Sequence, residues 1–167
     1  MRALLDTSIV YDLLCRRPFD EEGLMQLMIM QEFGDVELWV SAKSYTDLFY
    51  LIRQELDSAE AHDLLEGTFE WALACSIEED DIKRALQARW HDFEDSLVNV
   101  CAEKVKADYL ITRNMKGFKN AALPHGCASD FMDFVYKRTG VRYALADWES
   151  GDGVQNAAAL EAASIMA

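Results

Sequence analysis

Positive charge is what this sequence has least of. It sets 16 Lys and Arg against 30 Asp and Glu, a net charge of −14. That balance excludes general coating of nucleic acid, because each neutralised phosphate needs a Lys or Arg. Metal-binding thiols and imidazoles are scarce as well. Cys15, Cys75, Cys101 and Cys127 are scattered without a CxxC pair, and His62, His91 and His125 stand apart. No zinc spacing exists among them. Each cysteine sits among apolar neighbours, which reads as a reduced core thiol and a cytoplasmic location. Long apolar runs are also missing: none reaches the roughly 20 residues that cross a bilayer, so no membrane partner is expected. The first apolar run is broken by Asp6, which excludes a secretory signal.

What the sequence does have is enough apolar mass for one folded domain: 51% of 167 residues. Its most informative stretch is MRALLDTSIVYD at Met1–Asp12. Ala3, Leu4 and Leu5 read as a buried strand that delivers Asp6 at its carboxyl end, where ligands bind in open α/β sheets. Asp6 could equally cap the helix that follows. That helix carries Ile9, Val10, Leu13 and Leu14, with Pro18 as its stop. Asp20 or Glu21 caps a Met-rich second helix, and Val36–Val40 reads as a second strand ending at Ser41. Ser41 or Ser44 opens a helix in which Asp47 lies within the stripe Tyr45, Leu48, Phe49 and Ile52. Asp is a poor mid-helix residue, so this one is conspicuous.

A helix at 58–68 and a strand at 69–75 follow. Ser76 with Glu79 then has the capping-box pattern of a helix over 80–88. In the segment HDFEDSLVNVCAEKVKA at 91–107, Asp92 and Asp95 share one face near the helix start. The helix dipole favours acids there, so capping alone would account for both. Tyr109–Ile111 is a strand that ends in Thr112-Arg113-Asn114, repeating the opening arrangement. Ser129 caps a helix over 130–138. Strands alternate with helices, which predicts a mainly parallel sheet covered on both faces, a three-layer α/β/α fold. The composition shifts at Gly140, so residues 1–139 are expected to be the domain and 140–167 a partly flexible or helical appendage. The cluster Lys104, Lys106, Arg113, Lys116 and Lys119 reads first as a solvated face.

In a parallel sheet Asp6, Asp47, Asp95 and Asn114 come to one edge. Clustered carboxylates repel, and Mg²⁺ or Mn²⁺ removes that repulsion through oxygen ligands while keeping waters. Here the sequence resembles the PIN-domain family. LLDTSIVYDLL is similar to its opening motif, SAKSYTDLFYLI to its second, and DFEDSLVNVCAEKVKADYLITRNMKGF to its third and fourth. The resemblance covers Met1 to about Arg138. It implies a PIN-like, Rossmann-like fold and a metal-dependent endoribonuclease, the toxin of a toxin–antitoxin pair. RNA would be the substrate, a small antitoxin the partner and a homodimer the assembly.

By the same resemblance Asp6, Asp47 and Asp95 take the first three acidic positions, as catalytic residues and metal ligands. Asp47 stands where the family usually has Glu. The fourth position, usually Asp, is Asn114, and the branch that places an acid downstream has Gly117 at that place here. Asn114 adds a carbonyl but no charge, and Asp92 is the compensating ligand one turn before Asp95. Ser8 and Thr112 orient carboxylates, while Arg113 and Lys116 lie where RNA phosphate would pass. His91 and the large aromatics Trp39, Trp71, Trp90 and Tyr50 are read as structural. The alternative is a catalytically weakened binding module on the same fold. A haloacid-type phosphatase is disfavoured because Ser8 occupies the place of its second Asp, and a receiver domain because its acid pair and lysine are missing.

Overall fold

The computed structural model describes residues 1–17 and 19–143; Pro18 and most of the expected appendage, 144–167, lie outside the described residues. Five strands form one sheet: β1 (Arg2–Leu5), β2 (Glu37–Ser41), β3 (Ala72–Cys75), β4 (Tyr109–Ile111) and β5 (His125–Gly126). All are parallel, in the order β3-β2-β1-β4-β5. The expected fold class is the observed one.

β1 is central, and beyond its exposed first residue Arg2 it excludes water. Ala3, Leu4 and Leu5 are fully buried, as a parallel strand covered on both faces must be. Alternation sends Ala3 and Leu5 to one core and Leu4 to another. The larger core lies under α1 (Thr7–Leu14), α2 (Glu21–Glu32), α3 (Ala42–Ile52), α4 (Ser58–Gly67) and α7 (Ala128–Thr139). The smaller one lies under α6 (Phe93–Lys104), where Val98, Cys101 and Ala102 meet Leu110 and Phe118. α5 (Glu79–Ala88) packs outside α6 through Ala85. All four cysteines are free thiols.

Several local expectations change. The strand expected over 69–75 begins only at Ala72, because Thr68–Glu70 is a turn of 3₁₀ helix. Thr68 Oγ1 donates to the Leu65 carbonyl, and Phe69 stacks on Tyr45 with ring centroids 5.1 Å apart. The capping box of α5 is formed by Glu78 and Asp81, not by Ser76 and Glu79. α7 begins one residue before Ser129, and Asp20, at positive φ, does not cap α2 with its side chain. Instead the Asp20 carboxylate accepts the Ser129 amide at 2.8 Å and its hydroxyl, tying α2 to α7.

Gly23 lies at that same junction. A Cβ there would come within 2.4 Å of the Ser129 backbone nitrogen. Gly23→Ala is therefore expected to force α2 and α7 apart and to destabilise the fold by about 1–3 kcal/mol, the usual scale of overpacking. A urea melt beside Gly67→Ala, where a Cβ meets nothing within 4 Å, checks it: the Gly23 variant loses stability and the Gly67 variant does not.

Candidate metal centre

Strand order reverses at β1, which has β2 on one side and β4 on the other. The crevice at the carboxyl ends of such a pair is the place where an α/β sheet exposes backbone and side chains to a ligand. Asp6 follows β1 directly, and its amide donates to the Ile111 carbonyl at 2.9 Å, continuing the pairing with β4. Asp6 occupies the N-cap position of α1 but makes no side-chain cap. Its carboxylate turns into the crevice instead. Oδ2 accepts from Thr112 Oγ1 at 2.7 Å and from Ser8 Oγ at 2.8 Å.

Asp95 enters from the first turn of α6. Its Oδ2 accepts from Asn114 Nδ2 at 3.1 Å, while Asn114 takes the Gly117 amide on its own Oδ1 at 3.2 Å. Asn114 thus turns its amide donor to the site, and the oxygen expected to ligate a cation is occupied. Gly117 is the reason this fits: a Cβ there would lie 2.0 Å from Asp95 Oδ2 and 2.5 Å from Asn114 Nδ2. Asp6 and Asp95 are both buried. Burial pushes the Asp95 carboxyl up to about 6, with the charges of Asp92, Asp6 and Glu94 adding to it.

Asp92 is the N-cap of α6. Its Oδ1 accepts the Glu94 amide at 2.8 Å and the Asp95 amide at 3.4 Å. Asp47 does not stand free beside Asp6 and Asp95. It is held by Lys43, one helical turn earlier on α3, and Lys43 Nζ also reaches Glu94 Oε1 at 3.0 Å. Glu94 connects this group to the first: its Oε1 lies 3.4 Å from Thr7 Oγ1, which bonds Ser44 Oγ at 2.8 Å. Burial opposes the charge on Lys43, but the two carboxylates outweigh it and hold its pKa above the ordinary lysine value.

Arg113 is committed inward. Its Nη1 bonds both oxygens of Asp12, at 2.9 and 3.0 Å, and the Asp12 side chain is wholly buried. Desolvation raises the Asp12 carboxyl while Arg113 pulls it back. Arg16, Arg17, Phe19 and Arg113 line an open groove beside the crevice. Lys116 is exposed, with no ion pair among the described residues.

Lys43, Glu94 and Asp12 were not singled out in the sequence. Two of them left a trace: Lys43 stands four residues before Asp47, a helical ion-pair spacing, and Asp12 interrupts an apolar helix as Asp47 does. Glu94 was hidden beside Asp95, read as one more acid of a capped first turn.

The donor set suits one hard divalent ion. Asp6 and Asp95 each keep Oδ1 free of any hydrogen-bond donor among the described residues, and Mg²⁺ is commonly held by one or two carboxylates plus water. No three Asp, Glu, His or Cys side chains among the described residues converge on a single point.

Two outcomes are expected. A carboxyl raised from about 4 in the unfolded chain to about 6 in the fold binds its proton more tightly when folded. Its contribution to stability is complete below about pH 4 and is lost as pH rises through about 6. Metal-free protein should therefore lose melting temperature across that window. Asp95→Asn should flatten the loss, and millimolar Mn²⁺ at pH 7.5 should restore the melting point of the wild type but not of the variant. Arg113→Met strands a buried carboxylate and is expected to cost about 3 kcal/mol. Burial already raises the Asp12 carboxyl, so the cost should shrink as pH falls and Asp12 protonates, readable in urea melts at neutral and acidic pH.

Comparison with known proteins agrees with this fold. Residues 2–116 match the family model of the PIN domain. No curated protein matches at a significant level. Among solved structures, VapBC2 from Rickettsia felis, bound to a DNA fragment from their promoter, superposes with a TM-score of 0.59 at 16% identity. It covers 75% of this chain and 97% of that one. VapBC-1 from nontypeable Haemophilus influenzae gives 0.59 at 20% identity, over 77% and 99%. FitAcB from Neisseria gonorrhoeae gives 0.56 at 20%, over 76% and 98%. At such identities these likenesses concern the fold, and none of the described helices is long and apolar enough to cross a membrane. The family model spans well over half of the sequence and contains both Asp6, at the end of β1, and Asp95, at the start of α6: the chain belongs to the PIN-domain family.

Proposed function

We propose that this chain is a metal-dependent endoribonuclease, the toxin of a toxin–antitoxin pair. The observation that carries the reading is the pair Asp6 and Asp95, buried together where the strand order reverses, each with one oxygen left free. These two would hold Mg²⁺ or Mn²⁺. The ion supplies an activated water and charge neutralisation for hydrolysis of a phosphodiester.

The other residues serve that pair. Ser8 and Thr112 fix the orientation of Asp6, and Asn114 fixes that of Asp95. Such partners hold ligand oxygens in place before a cation arrives. Arg113, held by Asp12, keeps the strand end in register with α1. Arg16 and Lys116 are the exposed cations flanking the crevice, suited to RNA phosphate in a chain that otherwise repels it. The likeness to VapBC2, VapBC-1 and FitAcB supports a small antitoxin as the partner, and a homodimer is the assembly we propose with it. Exposed Tyr50 and Phe69 offer apolar surface to either partner.

A second reading has its own observation. Lys43 offsets one of the two charges of Asp47 and Glu94, and Asn114 brings no charge, so the site carries less free negative charge than four acids would. That favours a weakened module that binds without cleaving. Purified protein incubated with RNA and Mn²⁺ separates the two. Cleavage by the wild type that falls at least 100-fold in Asp6→Asn supports the nuclease. Equal cleavage by both, or none by either, sinks it and leaves the module.

A further inference from the structure

Lys43 is the feature of the crevice that a plain cation site does not need. We infer that its ammonium is a built-in cation occupying what would be a second metal position. On this assignment the centre takes one divalent ion, at Asp6 and Asp95, and Lys43 permanently fills the position framed by Asp47 and Glu94. The inference rests on reading Asp6 and Asp95 as the place of the resident ion.

Three observations carry it. Lys43 is bonded to both carboxylates at once, Asp47 on its own helix and Glu94 on α6. A surface helical pair would need only the first of these. It is also two-thirds shielded from solvent, so the long side chain is confined, not swinging in water. Finally, the two acid pairs form one continuous group: Glu94 adjoins Asp95 in sequence, and the Asp92 carboxylate accepts the backbone amides of both, at 2.8 and 3.4 Å.

The chemistry follows from charge and donor count. An ammonium has three N–H donors, and Asp47 and Glu94 take two. A divalent ion placed between the same two carboxylates would lie against a fixed positive charge, so ammonium and metal exclude each other. Unlike a metal ion, the ammonium cannot dissociate. The remaining N–H is left for a phosphate oxygen of the substrate, where Lys acts as a compact point charge. Lys43 is thus a positioning residue for the carboxylates and a fixed electrostatic partner for the substrate.

Binding stoichiometry tests this without recourse to activity. The full chain is stripped with chelator and titrated with Mn²⁺ by calorimetry, with electron paramagnetic resonance on the loaded samples. The wild type is expected to bind one Mn²⁺ per chain, and Lys43→Arg likewise. Lys43→Met is expected to bind two, with the spin coupling of a close Mn²⁺ pair. Asp47→Asn added to Lys43→Met should remove the second ion and the coupling. Two ions in the wild type, or one in a folded Lys43→Met, overturn the assignment; the wild-type count stands even if that variant does not fold. No binding by the wild type overturns instead the reading of Asp6 and Asp95 beneath it.

Discussion

Mutual repulsion of carboxylates is the constraint around which the functional end of this molecule is arranged. The parallel sheet leaves no freedom in the matter. Once β1 is buried on both faces between β2 and β4, Asp6 and Thr112 must emerge side by side, and α6 brings Asp95 to meet them. A chain with net charge −14 thereby concentrates further negative charge where water is partly excluded. Each remaining feature of the crevice answers that situation with a hydroxyl, an amide or an ammonium.

Those answers are graded by distance from the centre. Asp6 receives two hydroxyl donors, which orient it without cancelling its charge. Asp95 receives a neutral amide and keeps a raised proton affinity. Farther out, Asp47 and Glu94 share a full positive charge, and Asp12, on the other flank, has another in Arg113. Charge is thus offset at the rim, wholly at Asp12 and by half at Asp47 and Glu94, and left standing in the middle. Two pairs of acids that look alike in sequence come to differ in what they can still bind.

This grading explains what could be read in advance. Apolar strands ending in Asp6 and in Thr112-Arg113-Asn114 were legible because burial of a parallel strand leaves a continuous apolar run and a sharp polar boundary. The family resemblance added the order of the acidic motifs. Pairing was not legible. Whether Asp47 faces a metal ion or a lysine depends on a contact between α3 and α6, elements separated in the chain by two α-helices, a turn of 3₁₀ helix and one strand. The same holds for Asp20 and Ser129, more than a hundred residues apart, and for the Glu78–Asp81 box, which outcompetes a sequence pattern two residues earlier. Arg113 was expected to meet RNA phosphate, and in the fold its guanidinium bonds Asp12, a partner that only the fold supplies.

Gly117 limits how this site could change over time. Because any Cβ at that position collides with Asp95 Oδ2, an acid cannot be gained there by one substitution while Asp95 stays where it is. Nor is position 114 a free alternative, since an aspartate would replace the donor on Asp95 with another acceptor. The neutral corner and the bare glycine are therefore a single interlocked solution. A lineage carrying it gains a fourth acid at position 117 only if the Asp95 and Asn114 side chains move aside as well.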